Sequence, residues 1–144
     1  MYKKHSYLII PFLVFLFLYD MVVNGMVPLA SDMLAHQPIK EWIKSTEEFP
    51  HWFPNLFSGM PSYGGYIYTP GNPLSKIFNF ILFNYGVKQW FYLSLGGLGL
   101  YCFLRFKNIS YFSSIFGGIA YSLTPHVFGL INAGHNTKIM AFSF

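Results

Sequence analysis

Residues 7–27 read YLIIPFLVFLFLYDMVVNGMV, and this stretch decides the predicted fold class. An α-helix rises about 1.5 Å per residue, so about 20 apolar residues cross the hydrocarbon core of a bilayer. The stretch is longer than the apolar part of an ordinary signal peptide, and no clear small-x-small cleavage site follows it. It is therefore predicted to be a retained transmembrane helix, with Pro11 near its start, where a proline is tolerated.

The composition agrees with a membrane protein. The chain is 53% hydrophobic and only 10% charged, whereas a soluble domain is typically about 25% charged. Two further apolar runs predict spans at about residues 87–106 and 111–131, the second kinked by Pro125. The predicted fold class is an all-α membrane protein with three transmembrane helices. The single Cys102 excludes a disulfide framework.

Residues 28–86 form a long loop between the first and second predicted spans, rich in charges and prolines. Residues 32–49 are typical of an amphipathic helix, which Pro38 is expected to break or kink. Residues 73–86 predict a second short helix, too short to span and suited to the membrane interface.

The basic residues predict the orientation of the chain. Lys3 and Lys4 precede the first span, and Arg105 and Lys107 lie in the turn between the second and third spans. The positive-inside rule places both segments in the cytoplasm, so the loop of residues 28–86 and the polar segment 132–138 share the outer face. Lys88, on the outer side, departs from this pattern. The net charge of +4 comes from scattered residues, which argues against a nucleic-acid surface.

Two acids are candidates for chemistry. Asp32 follows the first span and is suited either to capping the next helix or to acting as a base at the outer face, and the two roles are compatible. Asp20 lies inside the predicted span, where an acid is costly and often functional. The alternative for Asp20 is a position near the interface, paired with a polar neighbour such as Asn24.

His135, Asn136 and Lys138 follow the third predicted span. They are suited to holding a phosphate, because lysine supplies a charge and the other two supply hydrogen-bond donors. The alternative is an ordinary polar helix end. No metal site is predicted, since the histidines have no regular ligand spacing. No phosphate-binding loop or nucleophile motif of a soluble enzyme is present in the sequence.

Three blocks of sequence resemble the amino-terminal part of the YfhO-like bacterial membrane proteins, which have the GT-C type of glycosyltransferase fold. The first is SDMLAHQPIKEW, residues 31–42. The second is WFPNLFSGMPSYGG, residues 52–65, which fits the family pattern W-x-x-N-x-F-S-G-M-P-x-Y. The third is AGHNTK, residues 133–138. The blocks occur in the family's order, and the resemblance covers nearly the whole chain from about residue 28 onward.

The resemblance implies a transferase that moves a sugar from a polyprenyl-phosphate carrier to an extracytoplasmic glycopolymer or lipid. It places the chain in a bacterial plasma membrane, and the positive-inside rule places the amino terminus in the cytoplasm. It makes Asp32 the candidate catalytic base. The candidate substrate-binding residues are His135, Asn136, Lys138, Trp52 and Asn55, and the role of His135 and Lys138 at the carrier phosphate is inferred from their chemistry and predicted outer position. No further cofactor is implied, and a requirement for a divalent metal is left open. Members of this family have many more spans, so we expect the 144 residues to be an amino-terminal, truncated part of the fold.

Two other functions fit the same composition. A non-catalytic docking or assembly subunit would use its aromatic outer loop, and would depend on Trp52 or Tyr63 rather than on either acid. A transporter fragment would depend on Asp20 instead of Asp32. The second sequence block favours the transferase, because a generic docking loop has no reason to reproduce it.

Overall fold

A computed structural model of the chain describes residues 5–30, 34–35, 37–46, 50–54, 58–61, 77, 80–82 and 84–143. The chain divides into two compact units. We call the first, Met1–Asp32 with Leu82–Phe144, the helical unit, and the second, Met33–Ile81, the loop unit.

The helical unit begins with two short consecutive helices. A 3-10 turn, Ser6–Leu8, leads into α1, Ile9–Phe17, and α2 follows at Tyr19–Val22 after an irregular residue at Leu18. The helix therefore ends at Val22, before the predicted boundary at Val27. Gly25 adopts a positive φ of 65°, which is compatible with glycine and ends a helix.

The loop unit contains a helix and a small hairpin. Helix α3 is Gln37–Ser45, and the two-residue strands β1, Trp52–Phe53, and β2, Met60–Pro61, pair antiparallel. Pro38 is the second residue of α3, where its missing N–H breaks no helical hydrogen bond. It therefore lies at the start of this helix and does not kink it. Most of the second predicted loop helix, residues 73–86, lies outside the described residues.

Four more helices complete the described part of the helical unit. They are α4, Tyr85–Phe106, α5, Tyr111–Ser122, α6, Pro125–Ala133, and α7, Asn136–Phe142. Side chains cap two of them: Asn84 accepts a hydrogen bond from the Gly86 amide at 2.8 Å, and Ser110 accepts one from the Ser113 amide at 3.2 Å. Such caps satisfy amides that have no partner inside the helix.

Helices α4 and α5 run antiparallel in close contact. The Ser122 hydroxyl donates to the Leu93 carbonyl oxygen at 2.9 Å. Near this bond, Gly97 and Gly118 bring the two backbones together, because a Cβ on Gly118 would lie 2.7 Å from the Gly97 carbonyl oxygen. Small residues at such crossings allow helices to pack closely.

Helix α1 also runs antiparallel to α4, and Trp90 Nε1 donates to the Pro11 carbonyl oxygen at 2.9 Å. Between the helices lies an apolar core that comprises Val14, Leu18, Tyr92, Leu93, Val127, Leu130, Ile131 and Ile139. The core includes residues from α1, α4, α6 and α7, so these helices pack as one body.

The predicted all-α class agrees with the mostly helical structure. Within the described residues, one helical segment, Tyr111–Ala133, is long and apolar enough to cross a membrane, with 23 residues and a mean hydropathy of 1.3. The first helix, Ser6–Phe17, is apolar but shorter. Helix α4 has 22 residues but does not reach the apolar character of a span. The predicted set of three spans is therefore not confirmed by helix length and hydropathy.

Candidate functional site

The end of α2 lies beside the start of α4. The Asn84 side-chain amide donates to the Val22 carbonyl oxygen at 3.2 Å. Two residues after Asn84, a Cβ on Gly86 would overlap the backbone carbonyl of Met21. Glycine at this position therefore lets the two backbones meet, and the chain leaves the first helix at the end of the unit where α4 begins.

The start of α7 lies at the same end of the helical unit. Gln89, one turn into α4, donates from Nε2 to the Asn136 Oδ1 at 2.8 Å. Gly134, with a φ of 82°, ends α6 and lets the chain reverse before α7 begins. Helix α7 then runs alongside α4 in the same direction, because Ser143 lies against Gly96 further along. The polar segment 132–138 and the end of the first helix thus occupy the same end of the unit.

The predicted phosphate-binding residues do not all point the same way. His135 and Asn136 are half-buried, whereas Lys138 is exposed and its neighbour Ile139 is fully buried. Residues two positions apart on a helix do not share a face. The structure therefore joins Asn136 to α4 and leaves Lys138 on another face of α7.

Of the remaining predicted site residues, Asp32 and Asn55 lie outside the described residues. Trp52 is on the β1–β2 hairpin of the loop unit, and its side chain is 54% exposed. Ser58 and Gly59 both have positive φ values, 62° and 111°. A Cβ on Gly59 would come within 2.8 Å of the Trp52 indole. The glycine of the second sequence block therefore lies directly beneath the tryptophan of the same block.

Two polar residues of α4 were not identified from the sequence. The Tyr85 hydroxyl and Gln89 Oε1 are buried and have no hydrogen-bond partner among the residues that the structure describes. The Gln89 side chain lies within reach of the Tyr85 hydroxyl, one turn along α4. A glutamine in an apolar helix, four residues after a tyrosine, is the sequence signal that could have found this pair.

The acid inside the first predicted span has a local partner. The Asn24 side-chain amide donates to Asp20 Oδ1 at 2.9 Å, and both residues are exposed. This is the pairing predicted as the structural alternative for Asp20. Within the described ranges, no three His, Cys, Asp or Glu side chains are grouped so that they could hold a metal ion.

Comparisons with protein-family models, with curated proteins and with solved structures found no match for this chain.

The described end of the helical unit offers neutral hydrogen-bonding groups from Tyr85, Gln89 and Asn136. An imidazole, His135, and an exposed ammonium group, Lys138, follow in the same segment. The neutral groups are suited to hydrogen-bonding an uncharged polar ligand part, whereas the Lys138 ammonium group, on another face of α7, is suited to an anion.

Proposed function

We propose that the chain is the amino-terminal part of a membrane glycosyltransferase of the GT-C type. The enzyme would move a sugar from a polyprenyl-phosphate carrier to an extracytoplasmic acceptor. One observation carries the proposal. The chain leaves its first helix, towards Asp32, at the same end of the helical unit where the polar segment 132–138 lies, next to Gln89. The resemblance to the YfhO-like proteins supplies the type of reaction.

The distribution of side chains on α5 supports a membrane location. Its buried residues are Ser114, Gly118 and Ser122, which repeat every four positions along one face. Phe112 and Phe116 are 85% and 70% exposed. A water-soluble helix buries its apolar face, whereas helices in lipid pack through small and polar residues and turn large apolar ones outward. Similar reasoning supports α4 as a span despite its lower hydropathy, because it buries glycine, serine and glutamine besides Tyr92 and Leu93, and it exposes Phe103 and Phe106.

The proposed reaction is a direct displacement at the anomeric carbon. An acceptor hydroxyl forms the new bond to that carbon, and the bond to the carrier phosphate breaks, with its electron pair leaving on the phosphate oxygen. Asp32 would take the proton of the acceptor hydroxyl, as a general base must lie within hydrogen-bond reach of it. Lys138 and His135 would bind the leaving phosphate and stabilise its charge.

The test compares two matched acid-to-amide variants in the protein as its gene encodes it. Asp32→Asn removes the proposed base, and Asp20→Asn removes an acid that is exposed and paired with Asn24. Membranes that contain each variant are given radiolabelled glucosyl, galactosyl and mannosyl polyprenyl phosphates, and label transferred to envelope material is counted. Loss of a general base is expected to slow transfer about 100-fold or more, whereas Asp20→Asn should retain most of the activity.

Equal amounts of both variants in the membrane are the control for insertion. Wild-type transfer by Asp32→Asn would refute the catalytic assignment. Loss of function with Asp20→Asn alone would favour the transporter alternative.

The docking alternative is favoured by the half-exposed Trp52 on its hairpin. A docking subunit should lose its partner when Trp52 is changed to alanine and should be indifferent to Asp32→Asn. Co-purification of the two variants with cross-linked envelope proteins distinguishes these functions. Retained partners with Trp52→Ala, together with lost transfer in Asp32→Asn, would exclude docking as the function.

A further inference from the structure

The turn between α4 and α5 carries two exposed basic side chains. Arg105 lies in the last turn of α4, and Lys107 follows the end of that helix at Phe106. The sequence contains no Asp or Glu after residue 48, and the one acid in the described part of the helical unit is Asp20. Asp20 belongs to α2, whose end contacts the start of α4, so the length of α4 places it more than about 20 Å from Arg105. This distance exceeds the Debye length of about 8 Å in physiological salt, and the acid therefore does not neutralise the turn.

Both cations lie against aromatic rings. The Arg105 guanidinium carbon is 5.8 Å from the centre of the Tyr111 ring, and Nη1 donates to the Ile109 carbonyl oxygen at 2.6 Å. The Lys107 ammonium nitrogen is 5.7 Å from the centre of the Phe103 ring. A cation within about 6 Å of a ring centre is attracted by the electrons of the ring face. The bond to Ile109 uses one of the five N–H donors of Arg105, so the exposed guanidinium retains donors for a ligand.

Large apolar side chains flank the basic turn on both helices. Phe103 and Phe106 on α4, and Phe112 and Phe116 on α5, each have more than half of the side chain exposed. Extensive exposed apolar surface is rare on monomeric soluble proteins and marks membrane or protein contacts. Positive charge and exposed aromatic surface therefore occur together at this end of the two helices.

We infer that the turn binds the headgroup of an anionic phospholipid in the cytoplasmic leaflet. The phosphate of such a lipid is complementary in charge to Arg105 and Lys107, and its acyl chains are suited to the exposed phenylalanines. Arginine offers a phosphate a planar pair of donors, and lysine offers a compact charge. A soluble acidic segment would satisfy the cations but would leave the phenylalanines in water. The inference rests on the membrane location in the proposed function and on the predicted cytoplasmic side of the turn, but not on the transfer reaction.

The test measures the lipid affinity of the protein as its gene encodes it, purified in a neutral detergent. Native mass spectrometry counts bound molecules of dioleoyl phosphatidylglycerol, which is anionic, and of dioleoyl phosphatidylcholine, which has the same chains and no net charge. Lys107→Gln and Arg105→Gln each remove one cation from the turn. Lys44→Gln is the matched control, because Lys44 is an exposed lysine in the last turn of α3, in the loop unit. Lys3 and Lys4 are kept in every variant.

The wild-type protein should bind phosphatidylglycerol more tightly than phosphatidylcholine. Lys107→Gln should weaken binding of phosphatidylglycerol about fivefold, the usual contribution of one basic residue near an anionic surface, and leave binding of phosphatidylcholine unchanged. Arg105→Gln should have a similar effect, and Arg105→Lys, which keeps the charge, should recover most of the affinity. Lys44→Gln should change neither affinity.

Three results would overturn the inference. The first is equal affinity of the wild-type protein for the two lipids. The second is an equal effect of Lys107→Gln and Lys44→Gln, which would mean that only the net charge of the protein matters. The third is displacement of phosphatidylglycerol by glycerol 3-phosphate at similar concentration, which would assign the turn to a soluble phosphate.

The proposed function is judged by separate measurements. The Asp32→Asn assay tests the transfer reaction, so a preference for phosphatidylglycerol without any transfer would retain the lipid site and reject the transferase. Extraction of the wild-type protein from membranes by alkaline carbonate would refute the membrane location, and with it the lipid site.

Discussion

The close approach of α4 and α5 at Gly97 makes the sharpest prediction about stability. A Cβ added there would overlap the Ser122 hydroxyl and would lie 2.8 Å from the Gly118 carbonyl oxygen and 2.9 Å from Ile10 Cγ2. Two of these neighbours belong to the backbone or to the buried α1–α4 contact. Gly97→Ala therefore cannot be accommodated by the movement of one flexible side chain.

The magnitude follows from three effects. Overpacking costs about 1–3 kcal/mol. Displacing the Ser122 hydroxyl from the Leu93 carbonyl oxygen, 2.9 Å away, costs about a further 0.5–1.5 kcal/mol. Alanine in place of glycine inside a helix stabilises by about 0.5–1 kcal/mol. The net destabilisation expected for Gly97→Ala is thus about 0.5–4 kcal/mol.

Gly99→Ala is the matched control. It lies two residues further along α4, and a Cβ there meets nothing within 4 Å. Only the helix-propensity effect applies, so this variant should be as stable as the wild-type protein or more so. Thermal unfolding of detergent-solubilised protein, followed by circular dichroism, should therefore rank Gly99→Ala above Gly97→Ala.

Ser122→Ala provides a further check through a double-mutant cycle. Combined with Gly97→Ala, it removes the oxygen that the new methyl group overlaps, so the double variant should be more stable than the sum of the single effects predicts. Rescue should be partial, because the Gly118 carbonyl oxygen and Ile10 remain in place. Equal Tm values for Gly97→Ala and Gly99→Ala would refute the close packing of α4 on α5.

One other prediction concerns the loop unit. Gly59→Ala should loosen the β1–β2 hairpin by about 1–3 kcal/mol, because it combines a φ of 111° with an overlap on the Trp52 ring. Faster proteolysis of the loop unit and altered Trp52 fluorescence measure this, and unchanged values for both would contradict it.

The long helices of the unit could be predicted because their causes are local. The segments predicted at residues 87–106 and 111–131 correspond to α4, which starts at Tyr85, and to α5 with α6, which end at Ala133. Their starts depend on the nearby caps Asn84 and Ser110. A kink at Pro125 was predicted within one helix, and the structure has a break there between α5 and α6, since proline lacks the N–H that a continuous helix needs.

Features that depend on only a few residues were harder to predict. The first apolar run contains no charge between Val22 and Val27 that would end a helix, and Gly25 alone redirects the chain. The hairpin at residues 52–61 was not predicted, because two-residue strands show no alternating pattern.

The contact at the candidate site could not be predicted from local sequence at all. Gln89 and Asn136 are 47 positions apart. They meet only because Gly134 reverses the chain and α7 then runs along α4. The sequence predicts that Asn136 and the outer loop lie on the same side of a membrane, but no local pattern indicates Gln89 as the partner of Asn136.

The turn between α4 and α5 has a consequence for biogenesis. Arg105 Nη1 donates to the Ile109 carbonyl oxygen at 2.6 Å, and Asn108 adopts a positive φ of 60°, so the two helices form a tightly closed hairpin. A translocon releases segments into lipid according to their hydrophobicity, and α4 is too polar to partition efficiently alone. Under the proposed arrangement, α4 would remain in the translocon until the more apolar segment Tyr111–Ala133 had been synthesised and had entered it. The two helices would then enter the bilayer together as one hairpin.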